Sequence, residues 1–134
     1  MSTRFRRAVA VAGALVVLAV GNLLAHHSFA AEYDRAKPIT LKGTVTKVEW
    51  QNPHIYFYMD VRAESGTVEN WAIEGGAPNT LYRAGWRKNS LQVGNEVTVE
   101  GWLAKSGARL ANMRTVVLAD GRRVLGGSSG EQQN

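Results

Sequence analysis

Glu49-Trp50-Gln51-Asn52-Pro53-His54-Ile55-Tyr56-Phe57-Tyr58-Met59-Asp60-Val61 is a turn that runs straight into a strand. From His54 onward, Tyr56, Tyr58 and Asp60 fall on one side of a period-2 ribbon and Ile55, Phe57, Met59 and Val61 on the other, the pattern of a half-buried strand. One side makes core; the other offers rings and a ligand. Asn52-Pro53 ends the preceding strand near Gln51, because Asn bonds locally and Pro fixes φ and lacks a donor. His54 is therefore expected at the mouth of the strand.

Working outward, Leu41 to Trp50 is a long strand rich in β-branched residues. Its apolar side changes from Leu41 and Val45 to Val48 and Trp50, a parity switch that a bulge explains. Ala63-Glu64-Ser65-Gly66 closes a hairpin onto Thr67 to Gly75, with Trp71 and Ile73 facing the interior beside Phe57. Gly75-Gly76 breaks that strand, and Ala77 to Gly85 reads as a short helix, with Pro78 at its first position and Gly85 at its left-handed end. Trp86 should fold back onto the core. Glu96 to Ala104 and Arg109 to Ala119 supply two more strands, joined by a turn at Lys105-Ser106-Gly107-Ala108.

Five strands with one helix between the third and fourth give an all-β class, a small five-stranded OB-fold-like barrel, with an open sandwich as its rival. The expected layout is a signal peptide over 1-25, an N-terminal arm over 26-40, the OB-like domain over 41-125 and a disordered tail over 126-134. Arg4, Arg6 and Arg7 precede an apolar run from Ala8 that continues to Ala25, the charged, apolar and small-residue regions of a secretory signal. The expected location is periplasmic or otherwise exported, with membrane contact only through that segment if it is uncleaved.

The chain of 134 residues is one domain's worth, and 45% hydrophobic with 20% charged residues is a globular rather than a disordered composition. Removing the three leader arginines lowers the formal charge from +5 to +2, so the basicity belongs largely to the leader. That argues against a nucleic-acid partner. With no cysteine, disulfides, thiolate ligands and cysteine nucleophiles are excluded.

The run His26-His27-Ser28-Phe29-Ala30-Ala31-Glu32-Tyr33-Asp34, then Gly43-Thr44-Val45 and Val48-Glu49-Trp50-Gln51-Asn52-Pro53-His54, resembles the exported bacterial family catalogued as domain of unknown function 6152. Pro78-Asn79, Arg83-Ala84-Gly85-Trp86, Gly94 to Val99 and Asp120-Gly121-Arg122 continue the resemblance. It implies an exported OB-like domain and supplies no mechanism.

All three histidines, His26, His27 and His54, lie in the two most distinctive segments. Cleavage after Ala25 would make His26 the N-terminus, so that its amino group and imidazole chelate one metal and His27 or His54 adds a third nitrogen. Such a set suits copper(II). The alternative cofactor state is none, with His54 satisfying turn backbone groups. Trp50, Asn52, Tyr56, Tyr58 and Asp60 form a candidate ligand face, which would make the domain an aromatic-faced module for a protein, peptide or glycan of the envelope. Glu49, Glu69 and Glu74 read as solvated strand residues rather than paired acids. Neither a catalytic triad nor a phosphate loop is present, so the expected class is a non-enzymatic binding module. The arm and the Asn52-Pro53-His54 turn should meet in space, with Phe29 or Tyr33 anchoring on Trp50.

Overall fold

The computed structural model describes residues 29–128 and 130; the leader, His26 and His27 lie outside the described residues. Six strands and a helix follow in order: β1 Tyr33–Glu49, β2 Tyr56–Arg62, β3 Val68–Glu74, α1 Pro78–Arg83, β4 Glu96–Ala104, β5 Leu110–Val117 and β6 Arg123–Leu125. The sheet order is β3-β2-β1-β4-β5-β6, and β3 also pairs with β5 in parallel, aligning Glu74 with Asn112. Pairing therefore runs in a closed circuit through β1, β2, β3, β5 and β4. With the helix between the third and fourth strands, this is the OB-like order.

The alternation in β2 does what its sequence requires. Ile55, Phe57 and Met59 are fully buried, while Tyr56, Tyr58 and Asp60 are half-buried on the opposite face. The β1–β2 register slips between Val45 and Lys47, where the apolar parity of β1 switches. A bulge places an extra residue there and bends the strand. Ile73 faces inward as expected, but Trp71 is only half-buried against the core and its indole nitrogen lacks a hydrogen-bond partner. Helix α1 has Pro78 in its first turn, no side-chain cap from Ala77, and Gly85 beyond its end at φ 99°. It buries Leu81, and Trp86 behind it is fully buried with Nε1 donating to the Leu125 carbonyl at 2.8 Å.

Three expectations need correction. First, the opening strand starts at Tyr33 rather than at Leu41, within the stretch read as the arm. Residues 29–32 are helical and β1 already begins at Tyr33, pairing Tyr33 with Ala104 and Pro38 with Trp102. Before Gly43, β1 pairs on one side only, and such an edge tolerates Pro38, which has no N–H to donate.

Second, Arg123–Leu125 is a sixth strand, paired with Thr115 to Val117. Third, the glycine-rich tail starts as packed structure. Gly126, Ser128 and Gly130 are buried, the Gly126 amide donates to the Arg114 carbonyl at 2.6 Å, and the Gly76 amide donates to the Gly126 carbonyl at 2.8 Å. The two Gly-Gly pairs at 75–76 and 126–127 thus meet each other. A Cβ on Gly76 would stand 2.3 Å from the Gly127 carbonyl oxygen, so only glycine lets these backbones approach.

Candidate functional site

The site is built where the arm crosses the outer face of the strands. Phe29 sits edge-on to Trp102, with ring centroids 5.3 Å apart, and 5.5 Å from the Tyr33 ring. These residues, with Ala104 and flanking Leu110, form a second apolar cluster outside the main core. The backbone is fixed as well: the Lys105 amide donates to the Glu32 carbonyl at 2.8 Å, and Arg35 donates to the Gly130 carbonyl at 2.6 Å. Trp102, not Trp50, receives the arm. Trp50 packs inward instead, 6.3 Å from Trp86.

Beneath this strap lies Glu74, the last residue of β3 and only 5% exposed. A buried carboxylate must be paired or hydrogen-bonded, and this one gathers partners from two distant segments. The Tyr33 hydroxyl donates to Oε2 and His54 Nδ1 lies 2.5 Å from Oε1, while Tyr56 stands directly across the β2–β3 pair from Glu74. The arm and the His54 turn therefore do meet, through Glu74. A carboxylate oxygen accepts, so Nδ1 of His54 is the donor of that contact, and the tautomer this selects has its lone pair on Nε2. The His54 side chain is 44% exposed, against 6% for Glu74.

Electrostatics follow from the burial. Desolvation first, then the Glu74 carboxylate, pushes the Tyr33 and Tyr56 hydroxyls well above the ordinary phenol range. Desolvation, with the Glu74 charge behind it, also raises the Glu32 carboxyl. The tyrosine shifts carry a stability consequence. Above about pH 10 the unfolded chain releases phenol protons that the folded chain retains, so stability is complete below that pH and falls as pH rises. Chemical denaturation between about pH 9 and 11 should show this loss, and Tyr33→Phe should flatten it. A profile with no slope over that interval would contradict the buried phenol cluster.

The other candidates are placed as follows. Tyr58 donates to Glu49 at 3.2 Å, and the Lys47 ammonium lies 5.2 Å from its ring centroid. Asp60 accepts from the Asn70 amide at 2.8 Å, and Asn52 is exposed in the turn. Tyr56, Tyr58 and Asp60 thus share the outward face of β2, with only Tyr56 in direct register with Glu74. Reading the sequence as a strand pattern made Glu74 a solvated acid; the structure makes it the hub. Its sequence signal is slight: Glu74 is the strand's last residue before Gly75-Gly76, on the parity opposite Ile73. Among the described residues, no group of three or more His, Cys, Asp or Glu side chains is placed to hold a metal ion.

Residues 14–113 match the family described as a family of unknown function, DUF6152, and the chain belongs to it. No curated protein matches the chain. Among solved structures, the chain is similar to the dimeric N-terminal domain of PriB protein from Thermoanaerobacter tencongensis, with 21% identity over 63% of this chain and 97% of that one, at a TM-score of 0.46. That likeness adds nothing to what the strand order already establishes. No helix among the described residues is long and apolar enough to cross a membrane.

Proposed function

We propose that the protein is an exported, non-enzymatic binding module that takes a transition metal, copper(II) first, through His54 with His26 and His27. The observation that supports this reading is the 2.5 Å contact between His54 Nδ1 and the buried Glu74 carboxylate. Metal-bound imidazoles recurrently donate their other nitrogen to a carboxylate, which fixes the tautomer and makes the free nitrogen a stronger donor. Here that free nitrogen belongs to a half-exposed ring.

The remaining nitrogens come from His26 and His27, at the start of the arm. His27 lies five residues before Glu32, whose carboxyl feels the charges of both Glu74 and His54. At roughly 3.3 Å per residue, five residues reach about 16 Å, enough to return to His54. Cleavage after Ala25 would add the amino group of His26. Three or four nitrogens without a thiolate favour copper(II) over zinc.

Copper(II) titrated into the protein should give visible and spin-resonance signals of nitrogen ligation. His54→Ala, or removal of His26 and His27, should weaken binding at least tenfold, and Glu74→Gln roughly 10- to 100-fold through the orienting contact. Equal affinity in all these variants would sink the site. A second reading has its own support in the outward row of Tyr56, Tyr58 and Asp60 on β2. It makes the domain a module for an envelope protein, peptide or glycan, and it expects only weak, histidine-independent copper binding.

A further inference from the structure

We propose that the outward faces of β1, β2 and β4 hold a binding site for a small zwitterion, an α-amino acid with an aliphatic side chain. The site lies at the opposite end of β2 from Tyr56 and the His54 turn. It goes beyond the copper reading, whose residues it does not use, and beyond the aromatic row, of which it takes only Asp60.

Strand register sets out the charges. Thr44 pairs with Asp60 on one side and with Glu96 on the other, so an acidic row crosses three strands with a hydroxyl at its centre. Two residues back along β1, Lys42 stands on the same face as Thr44, and Arg62 stands two residues beyond Asp60 on β2. The second row is therefore basic. Both rows border one cavity of about 580 Å³, lined by Lys42, Thr44, Asp60, Arg62, Val68 and Glu96. That volume lies within the range of small-molecule sites.

These charges are not spent on each other. Elsewhere on the surface Lys47 pairs with Glu49 and Arg123 with Glu100, yet among the described residues Lys42, Asp60, Arg62 and Glu96 form no ion pair. Asp60 accepts from the Asn70 amide at 2.8 Å, and Arg62 donates to the Gly66 carbonyl at 3.0 Å. Both keep further hydrogen-bonding capacity. The Lys42, Thr44 and Glu96 side chains make no hydrogen bond among the described residues.

Charge and spacing select the ligand. Two cations beside two carboxylates make a neutral site, so a ligand of one sign gains from one row and is repelled by the other. A ligand carrying both signs gains from both. Successive outward residues of a strand stand roughly 7 Å apart, which sets the distance between the rows. The ammonium and carboxylate of an α-amino acid are about 3 Å apart by its bond lengths. A charge-assisted hydrogen bond of about 2.8 Å at each end lets such a molecule bridge the rows. Its ammonium offers three donors for Asp60, Thr44 and Glu96, and its two carboxylate oxygens accept from Lys42 and Arg62.

The aliphatic preference comes from a neighbouring cavity of about 260 Å³, which shares Lys42 and Glu96 with the first and extends over Val117 and Ala119. A ligand anchored at Lys42 and Glu96 has that apolar lining within reach of its side chain. Covering it removes apolar surface from water on both partners.

The test follows amide chemical shifts of the full chain as millimolar L-leucine is added. Resonances of residues 42–44, 60–62, 96–98 and 117–119 should move together and saturate. Two analogues dissect the recognition: isocaproate lacks the ammonium, isoamylamine lacks the carboxylate, and each should bind at least tenfold more weakly. Glycine keeps both charges but cannot reach Val117, and it too should bind more weakly. Lys42→Met and Glu96→Gln, at exposed positions that leave the core untouched, should each lower leucine affinity at least tenfold. The absence of saturating shifts, equal binding of either single-charge analogue, shifts centred on the His54 turn, or unchanged affinity in both variants would overturn the proposal. Should a variant not fold by circular dichroism, the analogue series on the parent decides alone.

Discussion

Replacing Trp86 by alanine is expected to destabilise the domain by about 3 to 5 kcal/mol, the usual cost of emptying a large buried aromatic site. Trp86 is fully buried, and its loss opens a cavity between α1 and the core strands while leaving the Leu125 carbonyl without its donor. The ring also supports Trp50 at 6.3 Å and thereby the segment leading into the His54 turn. Urea denaturation should show the midpoint falling with an unchanged slope. Trp86→Phe should recover much of the packing without the hydrogen bond. A loss below about 1 kcal/mol for the alanine variant would mean that α1 is not docked as described.

The second large effect falls on Glu74. Glu74→Leu removes the one acceptor shared by Tyr33 and His54, and an unsatisfied buried hydroxyl costs about 1 to 3 kcal/mol. Most of that cost should fall on Tyr33, which is 3% exposed, whereas His54 can turn towards water. A double-mutant cycle isolates the pair: Glu74→Leu with Tyr33→Phe should be more stable than the sum of the single losses predicts, because no orphaned donor remains. Glu74→Gln should be milder, since an amide oxygen still accepts from Tyr33. If the two single losses simply add, Tyr33 and Glu74 do not act as a unit.

Much of the architecture was legible because it depends on local alternation. Phe57 and Met59 against Tyr56 and Tyr58 defined β2 without any tertiary knowledge, and the apolar switch between Val45 and Val48 located the bulge. Pro78 and Gly85 bracketed α1. What the sequence hid depends on partners far along the chain. The arm has no periodicity of its own, so its order comes from Trp102 and Ala104, some 70 residues away, and from the Arg35–Gly130 contact.

The tail looked disordered because glycine and serine dominate it, yet its glycines serve a close backbone approach that a composition argument cannot see. Glu74 was misread for the same reason. Parity alone puts it outside the strands, and only the strap laid across that face turns the outside into an interior. His54 was singled out by its turn, but the carboxylate that orients it could not be recognised without that strap.

Strand β1 carries a last consequence, for the order in which the molecule assembles. Its residues 33–44 pair with β4 and its residues 43–49 with β2, so Gly43 and Thr44 are bonded on both sides. The earliest stretch of the domain is thus its central strand, and its first half has no neighbour until the chain has continued to Ala104. Assembly cannot proceed from the N-terminus forward. The β1–β2–β3 meander can form locally, but the circuit closes only when β4 and β5 arrive, and such distant pairings slow folding. A chain interrupted before residue 96 would present the unpaired flank of β1 to solvent, an edge open to pairing with other chains.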